Sequence, residues 1–166
     1  RLDANQSLSL NDLIFIEKSI NGLNIEYIEE PFANLDENKI VQLKSKTSFK
    51  IAIDESIYNN DNNNIDLIKS GLVDYVILKP SIFGGYQDIL QFIKRVQEYK
   101  TDIILSSSFE THIGHMATVH LAASINNSHK HGLDYYAFYN ESKKHIYKSE
   151  DSEICIDNII GLGIDF

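Results

Sequence analysis

Three carboxylates and a lysine recur along this 166-residue chain at a nearly constant interval: Asp3 in "RLDAN", Glu29 in "YIEEPF", Asp54 in "IAIDES" and Lys79 in "VILKPS". Each follows a short run of strand-forming apolar residues. An acid placed where a buried strand ends needs a compensating charge, because an unpaired carboxylate taken out of water is expensive. Three acids gathered at one mouth repel one another and raise their own pKa values. A hard divalent ion removes that cost and leaves coordination positions for substrate oxygens. The pattern points to Asp3, Glu29 and Asp54 as ligands of Mg²⁺, with Mn²⁺ as a substitute. The competing reading takes them as separate helix caps or surface acids.

Lys79 ends the most apolar strand, where an ammonium loses hydration. Near a divalent cation its pKa tends to fall, which suits proton transfer or the stabilisation of negative charge. The bland alternative is a lysine reaching the rim along its aliphatic stem. Arg1 and Asn5 share a strand face with Asp3 by period 2 and would flank it. Glu30 and Glu55 face away by the same alternation, in supporting or ion-pairing roles. "SSSFE" offers hydroxyl donors suited to a carboxylate, or is simply a polar strand terminus.

Positioning these groups takes a repeated unit of strand and helix. "RLDAN", "NIEYIEEP", "FKIAIDES", "DYVILKP" and "DIILSSS" read as strands. Between and after them "LNDLIFIEKSI", "NLDENKIVQLKSK" (capped by Asn34 or Asp36), "NIDLIKSGL", "YQDILQFIKRVQEY" and "IGHMATVHLAASI" show helical spacing. "GLDYYAF" is a last short strand. Such alternation implies parallel strands covered by helices, in a barrel or a doubly wound sheet. Counting Ser106 and Gly132, a polar or special residue arrives at each strand end every 25 to 27 residues. Catalytic groups of a β/α barrel are donated in that way, one strand at a time to a common mouth, so the barrel is favoured. About eight strands are needed and six units are present, which places two strands upstream.

Composition narrows the function. A formal net charge of -9 with one modest basic cluster, "ESKKHIYK", argues against nucleic acid or an anionic membrane as partner. No apolar run approaches the roughly 18 residues of a membrane helix. Cys155 is alone, which excludes an intrachain disulfide, fits a reducing, cytoplasmic setting, and reads as a small apolar residue. "FGGYQD" is a phosphate cradle or a tight turn; His112, His115 and His120 match no ligand spacing, although His112 at the helix start is within reach of a pocket. "NNDNNN" and "NESKKHIYKSEDSE" read as solvated loops.

"RLDANQ", "IEEPF", "IAIDES", "ILKPS", "SSSFET", "HGLDYY" and "GLGIDF", in that order and spacing, resemble the C-terminal barrel of the enolase superfamily, muconate lactonising subgroup, and within it the o-succinylbenzoate synthase family. The resemblance implies that Asp3, Glu29 and Asp54 hold Mg²⁺, with Glu29 rather than Glu30 as the ligand. It implies that Lys79 stabilises an enediolate, and that Ser106, Gly132 and the neighbouring Ser107 contact the succinyl side of a small carboxylate substrate, with Arg1 and Asn5 flanking the first ligand. The implied reaction removes a proton alpha to a carboxylate and then hydroxide, aromatising the ring. Dipeptide epimerases and N-acylamino acid racemases of the superfamily are the neighbouring alternative, and a catalytically incomplete barrel fragment is another.

The departures are as specific. The family's general base lies in a Lys-x-Lys motif on an earlier strand, whereas the "LKSK" letters here fall on a helix. The chain is expected to be the C-terminal part of the barrel, without the first two strands or the capping domain, and inactive alone. Its oligomeric state is left open.

Overall fold

The structure is a computed structural model that describes residues 1–20, 22–58, 63–125, 127–133, 148–150 and 153–163. It divides into two compact units, Arg1–Leu78 with Gln87–Ile103, and Lys79–Tyr86 with Ile104–Phe166.

In the first unit the strands β1 (Leu2–Asp3), β2 (Ile28–Glu29), β3 (Ile51–Ile53) and β4 (Tyr75–Leu78) pair in parallel and in sequence order, and β5 (Asp102–Leu105) follows β4 in the order of the same sheet. Register sets Leu2 beside Ile28 and Asp3 beside Glu29, then Ile28 beside Ile51 and Glu29 beside Ala52. Every residue of β3 and β4 is buried, the signature of a parallel strand covered on both faces.

The helices follow their amphipathic stripes. Ser9 caps α1 (Leu10–Ser19) in a reciprocal capping box with Asp12, and Leu13 is its one buried residue. Asp36, not Asn34, caps α2 (Glu37–Lys46), which buries Ile40 and Leu43. Two shorter helices follow β3, α3 (Glu55–Tyr58) and α4 (Asn63–Lys69). Asp74 joins α2 to the sheet by accepting from Lys44 at 2.8 Å and from the Ile51 amide at 2.8 Å. The helix α6 (Tyr86–Gln97) places Ile89, Ile93 and Val96 inward.

Leu43 and Val41 give α2 an internal control, because Leu43 is fully buried while Val41 is 49% exposed. Leu43→Ala is expected to cost about 2–5 kcal/mol in urea unfolding, from lost transfer energy and the cavity left behind. Val41→Ala is expected to change stability by less than about 0.5 kcal/mol.

The second unit holds α5 (Pro80–Phe83), the end of β5, α7 (His112–Ser124) and an antiparallel hairpin of β6 (Lys148–Glu150) and β7 (Glu153–Cys155). Gly84, at φ 130°, ends α5, so the "FGGYQD" glycines serve a turn between two helices. Lys148–Glu150 and Glu153 correct part of the loop expected over "NESKKHIYKSEDSE", whose residues 140–147 and 151–152 lie outside the described ones: antiparallel pairing satisfies backbone groups whatever the side-chain polarity, so charged residues still form strands. Cys155 also departs from expectation. Its side chain is exposed, 3.6 Å from the Asp157 carboxylate, since β7 belongs to a two-stranded ribbon rather than a covered sheet. The "GLDYYAF" strand lies outside the described residues from Asp134 onward, as does most of "NNDNNN". No helix among the described residues is long and apolar enough to cross a membrane.

Candidate active site

In the first unit, Asp3 and Glu29 are the last residues of β1 and β2, and Asp54 follows directly on β3. Register makes Asp3 and Glu29 lateral neighbours, about 4.8 Å apart by strand spacing, and Asp54 lies two residues beyond Ala52, the neighbour of Glu29. The three acids therefore occupy the C-terminal ends of three adjacent strands. Their environments differ: Asp3 is exposed, Glu29 half-buried and Asp54 only 1% exposed. The Asn5 amide donates to Asp3 Oδ1 at 2.9 Å, an Asx-type turn that lets the chain leave β1 through left-handed residues Asn5 and Gln6.

A site of this kind would hold a divalent cation. All its donors are carboxylate oxygens, the type that Mg²⁺ and Mn²⁺ prefer, and one of the acids is buried. The fit is one of donor type and strand position. Among the described residues no three His, Cys, Asp or Glu groups are gathered closely enough to hold an ion.

Arg1 lies two residues before Asp3, toward the start of β1, and is committed there. Its guanidinium donates to Glu26 at 2.7 and 3.3 Å and lies 5.1 Å from the centre of the Tyr27 ring. Tyr27 packs against Tyr75 with ring centres 4.9 Å apart and planes tilted by 40°, and Lys50 lies 5.5 Å from the centre of the Tyr75 ring. Burial pushes the Tyr27 hydroxyl up to about 12, with the Arg1 charge pulling the other way, so the ring stays neutral at ordinary pH.

In the second unit, Ser106, Ser107 and Gly132 are brought together. Ser106 and Gly132 form a parallel bridge, the Gly132 amide donates to Leu105 at 2.7 Å and the Ser107 amide donates to Gly132 at 2.9 Å. Gly132 packs closely on its partner: an added Cβ would stand 3.0 Å from Ser106 Oγ and would oblige that side chain to shift. Lys79 caps α5, is half-buried, and accepts through its backbone oxygen from the amides of Ile82 and Phe83. His112 opens α7 and His115 is fully buried within it.

Glu110, left without a role by the sequence reading, organises the serine loop. Its Oε2 accepts from Ser107 Oγ at 2.9 Å and the Ser108 amide at 2.7 Å, and its Oε1 from Thr118 Oγ1 at 3.1 Å. Ser107 Oγ in turn accepts from the Phe109 amide at 3.1 Å, and Ser108 Oγ bonds Ser81 Oγ. The Ser-x-x-Glu spacing of Ser107 and Glu110 is the signal that could have revealed it.

Burial works to raise the Glu110 pKa, but hydrogen bonds from its own and the Ser108 amides and from the Ser107 and Thr118 hydroxyls outweigh it, so the carboxyl titrates below its ordinary range. A carboxyl depressed on folding contributes stability that is complete above the ordinary carboxylate range and is lost as pH falls through the lowered folded value. Glu110→Gln is therefore expected to destabilise the protein at pH 7 and to flatten the acid limb, measured by urea unfolding from pH 7 to pH 3.

A profile described as enolase C-terminal domain-like matches residues 1–166. The chain belongs to the enolase C-terminal domain-like family. The parallel α/β sheet is this family's barrel part, as the strand-end spacing predicts. Among the relatives of this enolase-family chain are the o-succinylbenzoate synthase of Thermobifida fusca, 28% identical over 125 residues, with 75% of this chain and 38% of the relative covered, and the hydrophobic dipeptide epimerase of Enterococcus faecalis, 28% identical over 135 residues, covering 81% and 38%. The crystal structure of the dipeptide epimerase from Enterococcus faecalis complexed with Mg and dipeptide L-Leu-L-Tyr superposes with a TM-score of 0.70 at 28% identity, covering 81% of this chain and 38% of that one. The chain thus spans about two fifths of the length of these relatives. Synthase and epimerase stand at equal identity, so sequence distance does not choose between their reactions.

Proposed function

We propose that this chain is part of an o-succinylbenzoate synthase, which dehydrates 2-succinyl-6-hydroxy-2,4-cyclohexadiene-1-carboxylate to o-succinylbenzoate in menaquinone biosynthesis, in the cytoplasm. The observation that carries the choice is the bridge between Ser106 and Gly132, which sets the Ser106 hydroxyl, a donor suited to a carboxylate, at a strand end. Epimerases of the superfamily tend to carry an Asp-x-Asp pair for the substrate's amine on the last strand, where "HGLDYY" has Asp134 alone.

In this reading Asp3, Glu29 and Asp54 hold Mg²⁺, a role supported by their donor chemistry and by the Mg present in the similar epimerase complex. The ion, when bound, supplies positive charge that makes a proton alpha to a carboxylate removable. Lys79 presents an ammonium to the negative charge that develops on the substrate, a preorganised electrostatic role. Ser106, Ser107 and Gly132 line the succinyl side of the substrate, with Ser106 as the hydroxyl donor to its carboxylate because the Ser107 hydroxyl already donates to Glu110. Arg1 and Asn5 flank Asp3, Arg1 from the layer beneath it. Loss of the alpha proton and of the neighbouring hydroxide leaves an aromatic ring and one water. The proton acceptor is assigned to no residue of this chain.

The second reading, epimerisation of a dipeptide or racemisation of an N-acyl amino acid, draws on the equal identity of the Enterococcus faecalis enzyme. One experiment separates the two. The protein expressed from its own gene is given the cyclohexadiene precursor, and its absorbance is followed with Mg²⁺ and with EDTA. Hydrophobic dipeptides are incubated in D₂O in parallel. Metal-dependent loss of precursor supports the synthase; deuterium uptake into dipeptides with the precursor untouched overturns it.

A further inference from the structure

Glu30, beside the proposed ligand Glu29, is completely buried. Its carboxylate accepts four hydrogen bonds: from the amides of Asp54 at 2.7 Å and Ser56 at 2.8 Å on Oε1, and from Ser56 Oγ at 2.7 Å and Gln6 Nε2 at 3.0 Å on Oε2. Its backbone adds two more, the amide donating to Ala52 at 3.0 Å and the carbonyl accepting from the Gln6 amide at 2.8 Å. One residue therefore joins the chain ends that leave β1, β2 and β3, the strands that carry Asp3, Glu29 and Asp54.

The backbone at Glu30 is itself unusual. Its φ is 41°, in the left-handed region, although it precedes Pro31 and such a residue is ordinarily extended. Conformations of this kind persist only where the surroundings over-determine them, and they cluster at functional sites. A carboxylate has about four acceptor positions, and here all four are filled by protein donors. Glu30 has none left for an ion, which separates its role from that of Glu29.

We infer that Glu30 is a positioning residue: its buried carboxylate clasps the ends of β1, β2 and β3 and so fixes the strand ends from which Asp3, Glu29 and Asp54 would close on a divalent cation. This rests on reading those three acids as ligands. Partners that orient metal ligands typically change affinity about 10- to 100-fold when removed, and that range sets the expectation.

The test uses the protein expressed from its own gene, with Mn²⁺ as the probe, and compares wild type with Glu30→Gln and with Gln6→Ala. Amide hydrogen exchange reads the clasp and calorimetric titration reads Mn²⁺ affinity. In Glu30→Gln the Asp54 and Ser56 amides are expected to exchange about tenfold faster or more while the amides of β4 keep their protection, and Mn²⁺ affinity is expected to fall about tenfold or more. Gln6→Ala removes one of the four bonds; it should give a smaller change in both readouts, and it decides the matter if Glu30→Gln does not fold. Unchanged exchange overturns the clasp, and faster exchange with unchanged Mn²⁺ affinity reduces Glu30 to a structural group. Wild-type protein without Mn²⁺ affinity overturns the ligand assignment and the positioning role together, a pattern distinct from equal binding by wild type and variant.

Discussion

Lys79→Ala is expected to lower kcat for loss of the cyclohexadiene precursor by about 10²- to 10⁴-fold, the range for removing one positioned acid-base or charge-stabilising group. The backbone position of Lys79 is set without its side chain: it follows β4, in which all four residues are buried, precedes Pro80 at the first position of α5, and accepts from the Ile82 and Phe83 amides through its carbonyl. The alanine variant should therefore keep its far-UV circular dichroism and melting temperature while turnover collapses. Lys79→Arg keeps the charge but replaces a compact ammonium with a planar fork, and is expected to recover only part of the loss. A Lys79→Ala enzyme within about threefold of wild type would remove the residue from the machinery, leaving a rim lysine of the kind that reaches solvent along its stem.

Withdrawing the ion should be at least as severe. A divalent cation that polarises a substrate carboxylate supplies several kcal/mol of charge stabilisation, so EDTA is expected to reduce turnover by about 10³-fold or more, with recovery on adding Mg²⁺ or Mn²⁺. Asp54→Asn should reproduce that loss without chelator, because Asp54 is the most buried of the three acids and the amide keeps its shape while removing its charge. Mn²⁺ titration distinguishes the variant from one that is merely unfolded. Retained Mn²⁺ affinity in Asp54→Asn would strike Asp54 from the ligand set, and metal-independent turnover by wild type would remove the ion from the reaction.

Which residues end the strands was legible in the sequence, and the reason is periodicity. Parallel strands buried on both faces must be written in continuous apolar residues, so the first polar group after "KIAI" or "YVIL" is also the first at the rim. The same logic placed Asp3, Glu29, Asp54 and Lys79 in order, and the Asp36 cap and the α2 and α6 stripes followed from helical spacing. Family membership was legible for a related reason: the motifs sit at strand ends, where the fold leaves least freedom to move them.

What strand alternation could not supply is the behaviour of residues once the chain leaves the strand. Glu30 falls on the far face by period 2, and only the turn to positive φ before Pro31 sends its carboxylate to Gln6, Asp54 and Ser56. Arg1 shares a face with Asp3, yet Glu26 and Tyr27, distant in sequence and adjacent in the sheet, decide where its guanidinium goes. Glu110 gains its hydrogen bonds from Ser107 and Ser108, across a left-handed turn at Phe109, and from Thr118, eight residues away on the next helix. The charged segment Lys148–Glu150 becomes a strand because Glu153–Cys155 returns to pair with it. The sequence by itself determined which chemical groups stand at the strand ends, since burial dictates polarity residue by residue; only the tertiary structure decided which of them are tied to one another, since a hydrogen bond depends on partners and backbone angles that no single segment encodes.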